Sequence, residues 1–280
     1  MKNHLNNKLV IGYIGYRSTL AKAFKKQFKK KISFKIYYGD ITKQKDIKNW
    51  LIKNKDISIL VNFAAISSVV NCERKKKRAL MVNSTAVINL LNIINKLRLP
   101  KFEYFLAISS SHVFKKSNYK LKENSIKKPT NYYGFTKLSM EKFILNNYKR
   151  FFFKIGIARI FNYYIKYSKK SFFINDILHK FKKKDKILKF KNTNTLRDYI
   201  SINDINTAIF KMIDLKLAKD FNICSGRKTN LNDIIKKIHK KYNNKKIFFS
   251  NKRVGSLVGS NNKLKNNRWK ISNYNVLDDL

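Results

Sequence analysis

Two stretches of this chain, ISILVNFAA (57–65) and FEYFLAISS (102–110), are apolar almost without interruption. A strand with one wet face alternates apolar and polar residues. Continuous runs of this kind belong to strands buried on both faces, as in a parallel sheet covered by helices. The neighbouring segments supply the cover. KLVI (8–11) reads as a first strand, followed by glycines and then by apolar residues at helical spacing from Leu20 onward. SFKIYY (33–38) reads as a second strand, with a helix around 44–54. AVINLLNIINKL (86–97) is an amphipathic helix ended by Pro100, and a helix beginning near Tyr133 continues through LSMEKFILNN (138–147). FKIGIARIFN (153–162) gives one more strand. This alternation predicts an α/β fold, a Rossmann-like doubly wound parallel sheet. From about 165 the pattern turns irregular and polar, as a smaller second lobe would.

The chain holds only 8 Gly and 2 Pro, so the glycines it keeps are informative. In GYIGYRS, Gly12 and Gly15 stand where the first strand gives way to the first helix, with Ser18 at the third position of a Gly-x-x-Gly-x-x-Ser spacing. A chain without Cβ there lets a dinucleotide pyrophosphate approach backbone N–H groups and the positive helix end. The competing reading is a plain tight turn. The expected division is a dinucleotide-binding domain over 1–165, to which 200–225 returns, and a smaller C-terminal substrate-binding lobe from 166–199 and 226–280.

Sixty-three Lys and Arg against 16 Asp and Glu give a net charge of +47. The charge invites a second reading, a non-catalytic Rossmann-fold binding protein whose basic surface meets RNA or an acidic membrane. Against it, the lysines are spread along the chain, and Arg, which suits bidentate phosphate recognition, supplies only 10 of the 63. No motif for specific nucleic-acid binding accompanies the charge. Cys72 and Cys224 are far apart and in no metal-like pairing, so no metal site is expected and a reducing compartment is. No apolar run approaches a membrane span, and a cytoplasmic protein without membrane attachment is the default.

NYYGFTK (131–137) contains Tyr133 and Lys137 in a Tyr-x-x-x-Lys spacing, but Tyr242 and Lys246 repeat it in a lysine-rich chain. Spacing alone decides nothing; context separates the two, because only the first pair follows the strand and glycine-turn pattern. On one helix, positions i and i+4 share a face, with Cβ atoms roughly 5–6 Å apart. A phenol with a pKa near 10 must come down by about three units, or about 4 kcal/mol, to act as a base near neutrality. An ammonium at ~5 Å and an effective dielectric of ~20 supplies roughly 3 kcal/mol. The expectation is therefore that Lys137 lowers Tyr133 most of the way and that a second cationic group adds the remainder.

Taken in order, these segments resemble the extended short-chain dehydrogenase/reductase family, in its NAD-dependent epimerase/dehydratase (nucleotide-sugar) branch. GYIGYRS resembles the Gly-rich turn, GDIT (39–42) the segment contacting adenine, and VNFAA (61–65) the strand end beside the cofactor. MVNSTAVINLL (81–91) resembles the helix with a structural Asn, here Asn83. ISSSHVF (108–114) and YGFTKLSME (133–141) resemble the catalytic Ser strand and the Tyr/Lys helix. ARIFNYY, RDYISINDI, FNICSG and SNNKLKNNRWKI follow in the family's order. The resemblance implies catalysis by Ser110, Tyr133 and Lys137. It implies a cofactor, NAD or NADP, held by Gly12, Gly15, Arg17, Ser18, Asp40, Ile41, Phe63, Ala64 and Ala65 together with Tyr133 and Lys137. Arg17 could meet a 2′-phosphate, which would favour NADP, whereas Asp40 fits the adenine side better than the ribose. The implied partner is a nucleotide-diphosphate sugar contacted by His112, Asn162, Arg197 and Arg253, and a homodimer is left open. Sugar dehydratases of the family carry acidic groups after the catalytic Ser; here Ser111 and His112 stand there. The expected function is a nucleotide-sugar epimerase or 4-keto-sugar reductase, with His112 either an acid/base group or a locally bonded side chain.

Overall fold

The chain order of the first half is β1 (Leu9–Ile14), α1 (Thr19–Phe28), β2 (Ile32–Tyr37), α2 (Gln44–Lys53), β3 (Ile59–Asn62), α3 (Val69–Arg74) and α4 (Lys76–Leu80). A π-turn over Met81–Thr85 leads into α5 (Ala86–Leu97), followed by β4 (Tyr104–Ser110), α6 (Tyr132–Asn147) and β5 (Lys154–Ile160). This computed structural model describes residues 9–165, 173–242, 245–250 and 255–280. A strand at Lys219–Ile223 completes a six-stranded sheet ordered Lys219–Ile223, β5, β4, β3, β1, β2. The ladders between β1 and β2, β1 and β3, and β3 and β4 are parallel, with Ile14 opposite Tyr37 and Asn62, and Asn62 opposite Ala107.

From β1 the chain goes to β2 on one side and to β3 on the other, so the order reverses between β1 and β3. In open α/β sheets that switch point, at the carboxyl ends of the strands, is where ligands bind. Ile14, Asn62 and Ser110 end β1, β3 and β4 on this same edge of the sheet. All of β3 and β4 is buried, as continuous apolar runs require, and α5 covers the sheet with Val87, Leu90, Leu91 and Ile94. Burying each such side chain stabilises the fold by about 1.5–3 kcal/mol.

Three expectations change. First, β1 does not end at Gly12 but runs on to Ile14. Gly12 is a strand residue whose missing Cβ is the space taken by Leu60 and Ile57; an added Cβ would lie 2.8 and 2.9 Å from their Cδ1 atoms. Second, β3 is four residues long: Phe63 N still donates to Ile14 O at 2.9 Å, but the Ala64 N–H turns to the Asn62 side chain at 3.1 Å. Third, the segment after 165 is not irregular: it carries helices at Phe173–Lys182, Ile202–Asp214 and Leu231–His239.

The chain forms two compact units: Met1–Val113, Pro129–Ala158 and Ile209–Asp220; and Phe114–Lys128, Arg159–Ala208 and Phe221–Leu280. The expected boundaries put 114–128 with the first body. The segment packs in the second because its backbone pairs there, Ser117 N–H to Ser256 O at 2.9 Å and Leu121 N–H to Val258 O at 2.8 Å. Within the second unit the buried Asp198 carboxylate accepts from Ser225 N and Oγ (both 2.7 Å), Gly226 N (2.8 Å) and Gly259 N (3.2 Å). It ties three loop segments to one point.

Candidate active site

The first unit brings Ser110, Tyr133, Lys137 and His112 together. Ser110 is the last residue of β4; Tyr133 and Lys137 lie one turn apart on α6. Asn131 starts that helix in extended backbone, its side-chain oxygen accepting from Gly134 N at 2.9 Å, which satisfies one orphan donor of the first turn. Gly134 has to be glycine, since a Cβ there would collide with the His112 carbonyl oxygen. The helix can therefore sit against the residues that follow Ser110.

Burial pushes the Tyr133 phenol up to about 12; the Ser110 hydroxyl opposes that shift, and the Cys72 thiol adds to it. This corrects the expectation of a lowered Tyr133. The Lys137 ammonium donates to the Ile108 carbonyl oxygen at 2.7 Å. Lys137 is 1% exposed, and burial brings it down to about 8, against the pull of Glu141 and Cys72. The Glu141 carboxylate, one turn further along α6, accepts from Ser109 Oγ at 2.6 Å. Tyr133 thus holds its proton at neutral pH.

Asn83 fixes the floor of this region. Its side-chain oxygen accepts from Ile66 N at 2.8 Å, and its amide donates to Ile66 O and Thr136 Oγ1, both at 3.0 Å. The π-turn aims it there, joining the loop after β3 to α6.

The residues proposed to hold a dinucleotide lie around the switch point. Gly15 has φ +91°, and a Cβ would overlap the Ala64 backbone nitrogen, so only glycine allows the turn to touch the end of β3. Ser18 precedes α1 without capping it through its side chain, and the first turn of α1 holds no acid. That leaves N–H groups and a positive helix end for an anion. The buried Asn62 Nδ2 has no hydrogen-bond partner among the described residues. A pyrophosphate-bearing cofactor fits this edge. Arg17 Nε donates to Tyr16 Oη at 2.8 Å, and the Tyr16 ring meets Tyr38 at 5.1 Å, where the second strand has ended. Asp40 accepts from Thr42 N and Oγ1, both at 2.9 Å, and pairs with Arg78. Burial raises the Asp40 carboxyl, but those bonds outweigh it and hold the group below the usual range. Ile41 and Phe63 are buried at 4% and 5%, so their side chains serve the core; Ala64 is half-buried and Ala65 exposed.

Of the expected sugar-side residues, Asn162 and Arg197 belong to the second unit, and Arg253 lies outside the described residues. Asn162 Nδ2 donates to Asp198 O at 3.2 Å. The half-buried Arg197 guanidinium donates to Thr195 Oγ1 (2.7 Å) and Leu196 O (3.0 Å), and no carboxylate pairs with it among the described residues. Burial lowers its pKa; beside it Lys116 is lowered too, by burial and then by Arg197 itself. Lys116, Asn131, Glu141 and Arg78 escape sequence reasoning. Only Asn131 left a legible signal, an Asn just before a helical pattern.

A family model described as GDP-mannose 4,6 dehydratase matches residues 7–273. The GDP-6-deoxy-D-talose 4-dehydrogenase of Aggregatibacter actinomycetemcomitans is 31% identical over 189 residues, covering 67% of this chain and 62% of that protein. The match therefore spans less than two thirds of that relative's length. Among solved structures, RMD from Pseudomonas aeruginosa complexed with NADPH superposes with a TM-score of 0.81 at 20% identity, over 95% of this chain and 94% of that one. The UDP-glucose 4-epimerase of Thermotoga maritima with UDP-glucose gives 0.79 at 17% identity, over 96% and 95%. At these identities the two structures bear on the fold. No helix of the described residues is long and apolar enough to cross a membrane.

Proposed function

Because the chain belongs to the GDP-mannose 4,6-dehydratase family, a set of NAD(P)-dependent nucleotide-sugar enzymes, we propose that it transfers hydride between a nicotinamide cofactor and a carbon of a nucleotide-diphosphate sugar, with Ser110, Tyr133 and Lys137 as its catalytic set. The observation that carries the reading is the convergence of Ser110, at the end of β4, with Tyr133 and the buried Lys137 one turn apart on α6, where the Tyr133 ring packs 5.6 Å from that of His112. When bound, the cofactor supplies or takes up the hydride. Tyr133 gives its proton to the sugar oxygen during reduction and recovers it during oxidation. Ser110 donates to the same oxygen and holds it in reach. Lys137 anchors α6 to β4 through Ile108 O and so holds the helix that carries the phenol in place.

Net reduction of a keto sugar at the 4-position is favoured over dehydration, since Ser111 and His112 stand where elimination needs acids. A phenol held near 12 also enters the cycle loaded with the proton that reduction consumes. Arg197, a half-buried cation without a carboxylate partner among the described residues, would grip the diphosphate. A GDP-linked 6-deoxy sugar is the first substrate to try, because the family description and the 31%-identical relative both name GDP-sugars. The purified chain should oxidise GDP-6-deoxy-D-talose with NAD or NADP, followed by reduced-nicotinamide absorbance. Tyr133→Phe should lower kcat by about 10²–10⁴-fold with cofactor affinity retained. Unchanged turnover in Tyr133→Phe would remove the catalytic assignment.

A further inference from the structure

The cap of α6 has a consequence for the histidine beside it. Asn131 Oδ1 is committed to the Gly134 N–H at 2.9 Å, which fixes which way the amide points: the NH2 group is on the other side. That NH2 lies 2.8 Å from His112 Nδ1. An amide nitrogen only donates, so Nδ1 has to accept and cannot carry a hydrogen. The neutral ring then has its proton on Nε2. Reversing the amide would place its NH2 against the Gly134 N–H and lose the cap bond, even though its oxygen could then accept from an Nδ1–H, so it is the helix cap that decides the orientation. Two further contacts hold the ring still. It packs edge-on against Tyr133 with centroids 5.6 Å apart, and its own carbonyl oxygen is pressed against Gly134.

We infer that Asn131 is a positioning residue that locks His112 in the Nε2–H tautomer, so that His112 works as a hydrogen-bond donor and not as a proton-abstracting base. Whatever atom Nε2 meets, it meets as a donor. The one bare ring nitrogen is Nδ1, and the Asn131 amide occupies it. Removing a proton from a sugar carbon next to a carbonyl needs a bare nitrogen at the sugar, and this ring presents none. The reaction at this site is then hydride transfer that leaves the configuration of the neighbouring carbons untouched. The tautomer follows from the fold alone; its consequence for the sugar rests on the function proposed above.

The test reads the tautomer directly. Nitrogen-15 NMR of histidine-labelled protein near pH 8, with the His112 signals identified by their loss in His112→Gln, distinguishes a bare from a protonated ring nitrogen. In the wild-type chain the Nε2–H form should exceed the Nδ1–H form by at least about tenfold. Asn131→Asp keeps the cap, because Asp accepts from Gly134 N as well as Asn does, but presents an acceptor to Nδ1. It should reverse the ratio in favour of Nδ1–H. A wild-type ring protonated on Nδ1, or an Asn131→Asp ring with the wild-type ratio, overturns the inference whatever the enzyme turns over. On an active preparation, turnover of the sugar in deuterium oxide should put no deuterium on carbons adjacent to the carbonyl; incorporation that His112→Gln abolishes would overturn it too.

Discussion

Replacing Lys137 by Met removes a buried ammonium that the fold accommodates at a cost. Its ordinary value near 10.5 falls to about 8 in the folded chain, chiefly through burial, and that gap corresponds to about 3 kcal/mol. The sign follows from proton counting. Between about pH 8 and 10.5 the unfolded chain binds a proton at Lys137 that the folded chain does not, so stability rises with pH across that window. The penalty is present in full below pH 8 and gone above 10.5. Met has no such penalty, but it leaves the Ile108 carbonyl oxygen without its donor, which costs about 1–3 kcal/mol at every pH. Lys137→Met should therefore be neutral to about 2 kcal/mol more stable than the wild-type chain at pH 7, and less stable above pH 10.5. The change in that difference, about 3 kcal/mol across the window, is the robust quantity, because the other titrating groups cancel between the two chains. Urea unfolding of both chains at several pH values from 7 to 11 measures it. The same variant should lose turnover, since a residue retained against its own stability cost is retained for chemistry. A stability difference that changes by less than about 1 kcal/mol over this range would refute the reasoning.

Gly15→Ala should weaken dinucleotide binding by at least about tenfold in Kd by calorimetry, and destabilise the fold by at least about 1–2 kcal/mol, because a side chain at φ +91° is strained and its Cβ meets the Ala64 backbone. Arg197→Met should raise KM for the nucleotide sugar about 10–100-fold with kcat within a few-fold, read by steady-state kinetics; a selective loss of kcat would place Arg197 elsewhere. Asp198→Ala leaves four donors without their acceptor and should destabilise the second unit by about 3–5 kcal/mol in urea unfolding.

What the sequence disclosed and what it withheld divide along physical lines. The span of α5 is legible to the residue, Ala86–Leu97, because its apolar positions repeat with the helical period and a proline follows. β3 and β4 are legible because strands buried on both faces need no alternation. Gly12 is misread because a glycine pair after an apolar run signals a turn, while the need it meets, room for Leu60 of the neighbouring β3 and Ile57 just before it, is a contact between residues far apart in the chain. The helices after 165 were present as period, with Ile174, Ile177, Leu178 and Phe181 on one face and Leu231, Ile234, Ile235 and Ile238 on another, but lysines crowd between them. In the candidate site, residue types and spacing single out Tyr133 and Lys137, and they cannot say where an ammonium points. The i and i+4 argument assumed that Lys137 faces the phenol, whereas its nitrogen reaches back to Ile108 O, and burial then decides the sign of the Tyr133 shift. The same limit explains Asn131. Its role as a cap is local and readable, but its second bond, to a histidine 19 positions earlier, exists only because Gly134 lets α6 close onto the end of β4. Proton positions in this site are thus set by contacts across the sheet, and substitutions that keep the motif while moving α6 should change the chemistry more than surface changes nearer in sequence.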